Sequence, residues 1–310
     1  MRRAPGVFWP GDGLAQERAT GGRGRMDGQG HGAEGGEIAL AFAARVAAAP
    51  DPALGRAVAG VVGHLHAMIA GMRLTPGALH AAIGFLTEVG HATDSRRQEW
   101  VLLADVLGVS TLVEDLSSTR PPGATPNTVA GPFYRADVPE CPNGADISRD
   151  GRGEPVEVRG RIVDCAGRPV GGAMVEVWQA NGDGVYENQE PDLQPEFNLR
   201  GRLRAAEDGT FGLRTVRPRG YPLPADGPVG QLLARLGCRL ERPAHIHFRV
   251  TAPGFQRLTT HIFDRDDPAI GNDALFGVRP ALLGEFRPQP AGGYLLEVGF
   301  VLAPEEAAGG

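Results

Sequence analysis

The chain has 310 residues, of which 46 are Gly and 26 are Pro; together they fill 72 positions, about 23%, against roughly 12% in an average protein. So many backbone punctuators exclude an all-helical bundle, while 42% hydrophobic and 22% charged residues describe a globular chain with material for one large domain or two smaller ones. The net charge of −6 gives no electrostatic case for nucleic acid, and no uninterrupted apolar run approaches ~18 residues, which by that criterion excludes a membrane span.

Taken in chain order, residues 1–36 hold 11 of the Gly and cannot bury enough apolar surface to order themselves. They read as a disordered tail, or as an over-called start with the true beginning at Met26. Residues 37–120 carry a helical pattern: EIALAFAARVAAA and LGRAVAGVVGHLHAMIAGM have apolar residues at three- and four-residue spacings. Thr75-Pro76 is an N-cap with Pro at the first helical position, and Gly90 a stop. Ser95 with Gln98 has the form of a capping box, opening a helix whose Trp100, Leu103, Ala104 and Leu107 share a face. Four helices are expected. Residues 121–150, rich in Pro, Gly and Asn, form a long irregular connector that contributes to a pocket. From 151 to 303 the period switches to two: VEVRGRIV, AMVEVWQA, TFGLRTV, HIHFRVTA, RLTTHIF and GYLLEVGFVL are strands separated by turns, as in a β-sandwich, and 304–310 is a tail. Cys141, Cys165 and Cys238 make no CxxC pair, and read as reduced thiols in a cytoplasmic protein.

The chemistry centres on His245-Ile246-His247. In a strand, residues two apart project from the same face, so both imidazoles can reach one ion. His64-Leu65-His66 has the same spacing in a helical stretch, where two steps of ~100° point the rings apart, and it is read as structural. Two tyrosines lie in loops after strands: Tyr186 after Asn181-Gly182-Asp183-Gly184, and Tyr221 in RGYPLP. Each alone fits a surface residue, and the HxH alone fits two satisfied histidines on a half-buried face. Together, phenolate oxygen and imidazole nitrogen suit Fe(III) better than zinc, whose sets are Cys and His, or calcium, which wants carboxylates.

With these residues in view, the sequence resembles the intradiol ring-cleaving dioxygenases, non-haem Fe(III) enzymes that open catechols between the two hydroxyls. RRQEWVLLADVLGVS (96–110), TVAGPFYR (128–135), GRPVGGAMVEVWQANGDGVY (167–186), EFNLRGRL (196–203), RGYPLP, ERPAHIHFRVTAPG (241–254) and LTTHIF (258–263) carry the resemblance across roughly residues 55–300. It implies a mixed α and β fold, with an N-terminal helical dimerisation domain and a C-terminal antiparallel β-sandwich carrying the metal site. It implies one Fe(III) per subunit held by Tyr186, Tyr221, His245 and His247 with a hydroxide, Tyr221 being the ligand that departs with a substrate proton. Arg242 matches the family residue that stabilises the developing ring anion. The partners it implies are a catechol-type substrate, O2 and a second copy of the chain; the apolar helices at 37–72 would also permit the phospholipid that family members often hold at the dimer interface.

His261, which the resemblance places with Arg242 and Tyr221 among the catalytic residues, also narrows it. Catechol-selective members carry Gln in that motif, whereas the hydroxyquinol (1,2,4-trihydroxybenzene) branch has LTTHIF, and Asn272 to Val278 also resembles that branch. Asp105, three residues after Leu102 in the branch's pocket pattern, would meet a third ring hydroxyl. Val129, Ala130, Gly131, Pro132 and Phe133, with Leu223, Pro224 and Leu275, would supply apolar walls, and Tyr134 packing. The expected reaction turns hydroxyquinol and O2 into 3-hydroxy-cis,cis-muconate, and so maleylacetate. Trp100, Ala104, Ala130 and Leu275 depart from common family residues, which leaves catechol or a substituted catechol as an alternative. A reading of another class also stands: VEVRGRIVDCAGRPVGGAMVEVWQ alone resembles a transthyretin-like module that binds without catalysis.

Overall fold

The Ala- and Leu-rich stretch folds as three helices, α1 (His31–Val46), α2 (Pro52–Met72) and α3 (Pro76–Ala92). Asp51 starts α2 by accepting the Ala53 and Leu54 amides at 2.9 and 3.0 Å, with Pro52 next. Thr75 Oγ1 accepts the Ala78 amide at 3.2 Å, as its sequence position predicts. Gly90 does not stop α3, which runs on to Ala92, because glycine costs a helix only about 1 kcal/mol and needs an αL conformation to end one. At Gly55 a Cβ would meet the Val46 carbonyl at 2.8 Å, so α1 and α2 approach where only glycine fits.

The computed structural model describes residues 31–94, 97–117 and 120–305. The alternative start at Met26, Ser95 of the expected capping box and residues 306–310 lie outside these, and α1 already begins inside the expected tail. The described chain divides into two compact units between His91 and Ala92. In the first, α2 has 21 residues and, by length and composition alone, could cross a bilayer. The criterion of an unbroken apolar run overlooks it, because a span tolerates the single Arg56 and the two His that interrupt this one.

The second unit opens with α4 (Glu99–Val106) and α5 (Val109–Ser117), separated by Gly108 at φ 72°, so that among the described residues five helices precede the strands instead of four. The inward face of α4 is not the expected one. Glu99, Leu103, Asp105 and Val106 are buried, while Trp100 and Leu107 are exposed. Glu99 explains this rotation. Its Oε1 accepts the Val229 amide at 3.0 Å and its Oε2 pairs with Arg97 at 2.7 Å. It thereby caps a later helix, α6 (Pro228–Arg235), whose own N-cap Gly227 has no side chain to offer.

The strands are β1 (Pro155–Asp164), β2 (Met174–Gln179), β3 (Arg200–Arg204), β4 (Thr210–Val216) and β5 (Tyr221–Pro222); then, after α6 (Pro228–Arg235), β6 (Glu241–Arg242), β7 (His245–Thr251), β8 (Leu258–Asp264), β9 (Leu283–Gly284), β10 (Arg287–Pro288) and β11 (Tyr294–Leu302). One sheet has the order β10-β11-β1-β4, the other β3-β2-β7-β8-β9, and β5 and β6 form a separate ribbon. Alternate residues of both sheets meet in one core that includes Val158, Val175, Leu203, Phe211, Phe248, Leu258 and Phe300. Most pairs are antiparallel, as expected; β1 with β11 and β8 with β9 are parallel, which the long stretch of chain between their members permits. The connector lies over the sandwich on backbone bonds, from Thr128 N to Thr259 O at 2.8 Å, Cys141 N to Arg202 O at 2.7 Å and Ile147 N to Arg214 O at 2.9 Å.

Gly160 faces the core of β1 opposite Phe211, and a Cβ there would lie 2.0 Å from the ring. That ring stacks on Phe300 with centroids 6.1 Å apart. Gly160→Val therefore dislodges Phe211 at a cost of about 1–3 kcal/mol, and thermal unfolding should fall by roughly 3–10 °C without change in far-UV circular dichroism. An unchanged melting temperature would contradict the packing described.

Candidate metal centre and active site

In β7, Ile246, Phe248 and Val250 enter the core, so His245 and His247 must face the other way. Pairing then sets their neighbours. Trp178 of β2 lies opposite both Arg200 of β3 and His247 of β7, and His247 lies opposite His261 of β8. Arg200, Trp178, His247 and His261 thus form one row across four strands, on the face of the sheet turned away from the core. Trp178 stacks on His247 at 4.6 Å and 13°, and His261 closes the other side with ring centroids 4.1 Å apart.

The loop after β2 brings in Tyr186, whose hydroxyl is 3.1 Å from His247 Nε2; that nitrogen is 3.2 Å from His245 Nε2. His245 Nδ1 donates to the Pro243 carbonyl at 2.6 Å, which fixes its proton there and leaves Nε2 with a free lone pair. His261 Nδ1 is bonded to Thr128 Oγ1, while His261 Nε2 and His247 Nδ1 are buried without a partner. One ligand atom from each of the three histidines fits within 4.8 Å. Burial, and then the charge of Arg242, lowers His245 to about 3; burial and neighbouring cationic groups hold His247 and His261 well below the usual imidazole value. All three are neutral bases. Burial, with Tyr221 beside it, pushes the Tyr186 phenol well above its ordinary value, so without a cation it stays protonated. The Tyr186 ring is sandwiched: Phe133 stacks on it at 4.1 Å and 15°, and Tyr221 meets it edge-on at 5.8 Å.

Tyr221 pairs across the ribbon with Arg242, whose side chain is 2% exposed. Burial alone would lower the guanidinium, but Asp273, then Tyr221 and Tyr186, outweigh it and hold Arg242 above its usual value. Asp273 Oδ1 accepts Arg242 Nε at 3.2 Å and the Leu275 amide at 3.3 Å, and Oδ2 accepts the Gly277 amide at 2.8 Å. One carboxylate thereby holds the arginine and shapes the turn that carries Leu275. Arg242 NH2 is buried and unpartnered. Asp105 is 7% exposed; burial raises its carboxyl above the usual range, against a hydrogen bond from Ser110 and the charge of Arg242.

Of the other expected pocket residues, Gly131 stands at φ 70° where a Cβ would be 3.7 Å from the His247 ring. Leu223 and Leu275 are buried, Leu102, Val129 and Phe133 half-buried, and Pro132 and Pro224 exposed. Tyr134 lies further out, donating to Glu176 Oε1 at 3.0 Å beneath the guanidinium of Arg249. A cavity of about 620 Å³ opens beside Asp273, lined by Val106, Leu233, Cys238, Phe276 and Arg279, and holds none of the histidines or tyrosines above. Sequence reasoning missed Thr128, Trp178, Arg200 and Asp273. Trp178 had a usable signal, since it alternates with core residues in a strand adjacent to the HxH.

Residues 129–303 match the family described as Dioxygenase, and residues 51–125 that described as Catechol dioxygenase N terminus. The chain is 48% identical to a hydroxyquinol 1,2-dioxygenase of Rhizobium sp. (strain MTP-10005), over 83% of this chain and 87% of that protein. It is 43% identical to a 6-chlorohydroxyquinol 1,2-dioxygenase of Cupriavidus pinatubonensis, over 86% and 96%. Among solved structures, a hydroxyquinol 1,2-dioxygenase from Pseudomonas putida DLL-E4 superposes with a TM-score of 0.85 at 37% identity, covering 88% of this chain and all of that one. The transthyretin-like alternative, which rested on β1 and β2, does not account for matches that run through the helices and the whole sandwich. Fold, converging bases and relatives agree: the chain is an enzyme that belongs to the intradiol ring-cleaving dioxygenases, a family whose chemistry calls for a bound metal ion.

Proposed function

We propose that this protein opens hydroxyquinol between its adjacent hydroxyls with iron(III) and O2, giving 3-hydroxy-cis,cis-muconate, and so maleylacetate. The buried carboxylate of Asp105 carries the choice of substrate. A site for plain catechol has no use for a desolvated acid near the catalytic arginine, whereas a third ring hydroxyl has a proton to donate to it. The names of the relatives just described agree with that choice and do not favour catechol.

The donor set fits the ion. Two ligand atoms about 2.1 Å from one first-row metal and 90–110° apart lie roughly 3.0–3.4 Å from each other; the His245–His247 and His247–Tyr186 separations are 3.2 and 3.1 Å. Two neutral imidazoles and two phenols, with no thiol among them, suit iron(III) better than zinc. His245, His247, Tyr186 and Tyr221 would hold it. When bound, iron(III) supplies a Lewis-acidic, electron-accepting centre that makes the chelated catechol reactive toward O2.

The remaining roles belong to the chain. Tyr221, half-buried on a two-residue strand, would as a phenolate take a substrate proton on its phenolic oxygen and leave as the neutral phenol. Arg242, fixed by Asp273, directs its unpartnered NH2 toward the negative charge that develops on the ring. His261, oriented by Thr128, closes the polar side, and Phe133, Leu223 and Leu275 the apolar side. Atoms balance without another reactant: both oxygens of O2 end in the diacid.

The helices support a homodimer. Leu54, Val58, Val61, Leu65, Met68 and Met72 of α2 recur at alternating steps of four and three, the spacing of a coiled-coil seam, and all are exposed. The same apolar face has the chemistry to hold a phospholipid. Three free cysteines in separate places support a reducing, cytoplasmic setting.

Oxygen uptake on one sample tests the substrate: hydroxyquinol should turn over with the higher kcat/KM, and Asp105→Leu should cut that value roughly 10–100-fold while sparing catechol. Preference of the wild type for catechol would overturn the choice. Arg242→Ala should lower kcat about 100–1,000-fold with iron content unchanged, and an iron-replete variant of near-normal turnover would remove the arginine from its role. Leu65→Glu should convert the dimer to monomer in sedimentation velocity; a wild type that sediments as a monomer would discard the seam.

A further inference from the structure

Arg200 lies at the end of the row that runs through Trp178 to His247, with 1% of its side chain exposed. Its guanidinium grips two other segments. Nε donates to Glu187 Oε1 at 2.7 Å, on the residue directly after Tyr186, and NH1 donates to the Phe133 carbonyl at 2.5 Å. Phe133 is the connector residue whose ring lies flat on Tyr186. Glu187 is 3% exposed and receives a second, longer contact from Arg135 at 3.4 Å. Charges this deep are costly unless paired, and the planar fork of an arginine meets a carboxylate and a carbonyl together as a lysine cannot.

The backbone around Arg200 is also unusual. Phe197 and Leu199 have φ values of 60° and 58°, a region that residues with large side chains rarely enter. The bend is held by Asn198, whose amide donates to Asp150 and Gln194 and whose oxygen accepts the Arg149 amide. Arg135 covers the Phe197 ring at 4.2 Å. Such a conformation persists only where its surroundings enforce it, and here it delivers Arg200 to the junction of β3, the connector and the Tyr186 loop.

We propose that Arg200 is a positioning residue for the metal centre: by binding the Phe133 carbonyl and the Glu187 carboxylate at once, it fixes the Phe133 ring against the Tyr186 phenol. The substrate wall and one metal ligand thereby become a single rigid piece. The inference rests on the reading of Tyr186 as an iron ligand. It also accounts for a difference between the tyrosines: Tyr186 is 1% exposed, stacked and braced, while Tyr221 is half-buried on a short ribbon and free to exchange.

The test uses the iron-loaded, full-length protein and three variants: Arg200→Gln, Arg200→Lys and Phe133→Leu. Visible absorption reads the phenolate-to-iron charge-transfer band per iron, metal analysis reads occupancy, and oxygen uptake reads kcat and KM. The expected result is a shifted band in all three with iron largely retained, and a kcat reduced on the order of 10–100-fold in both Arg200 variants. Phe133→Leu keeps the ion pair and removes only the stacked ring, so it decides the matter if Arg200→Gln does not fold. Wild-type band position per iron in Arg200→Lys and Phe133→Leu overturns the brace, even if folded yield falls. A wild-type protein that takes up iron without any such band overturns the ligand reading itself, which separates the two failures.

Discussion

A β-strand turns successive side chains to opposite faces, and the whole site depends on that constraint in β7. Ile246, Phe248 and Val250 must fill the space between the sheets. With those three inside, His245 and His247 have no freedom to be anywhere but outside. A slip of one residue would bury two imidazoles in the core and expose three large apolar side chains. The energy of the core therefore guards the register, and the register keeps both histidines together on the outer face. The pairing of β2 and β8 with β7 extends the same logic sideways, setting Trp178 and His261 against the faces of His247.

Around this face the protein concentrates charge that elsewhere would be ruinous. Arg242, Asp273, Arg200, Glu187 and Asp105 are all buried, and each is held by a named partner. The arrangement separates two tasks. Arg200 and Glu187 are spent on geometry: Nε and NH1 of the arginine bind protein, while its NH2, like Arg242 NH2, is buried without a partner. Under the proposed function, the unpartnered NH2 of Arg242 is a preorganised response to negative charge that arrives later, since it is an unfulfilled donor in a desolvated place. Asp273 serves both ends, since the carboxylate that aims the arginine also bends the chain at Leu275.

Legibility in the sequence followed the range of the interactions. The strand HxH and the two loop tyrosines were readable because alternation and turn chemistry are local, and the two layers of sandwich followed from the change of period. The inward face of α4 was not, because its rotation is decided by the bond from Glu99 to Val229, 130 residues along the chain. Thr128, Arg200 and Asp273 were invisible for the same reason: nothing in their immediate neighbours says that they will meet His261, Phe133 and Arg242. The parallel pairs escaped too, since pattern gives the face of a strand and not the direction of the neighbour it finds.

One of those pairs has a consequence for the nascent chain. β1 is completed by β11, over a register that joins Val156 with Tyr294 and Asp164 with Leu302. Every residue of the candidate metal centre has therefore been synthesised before the strand that closes the first sheet is available. Until then one edge of β1 lies open, and the core behind β7 lacks Leu296, Phe300 and Leu302. Such late, long-range closure is the slow part of β-rich folding. The sheet that carries the histidines therefore packs against a complete core only once β11 has docked.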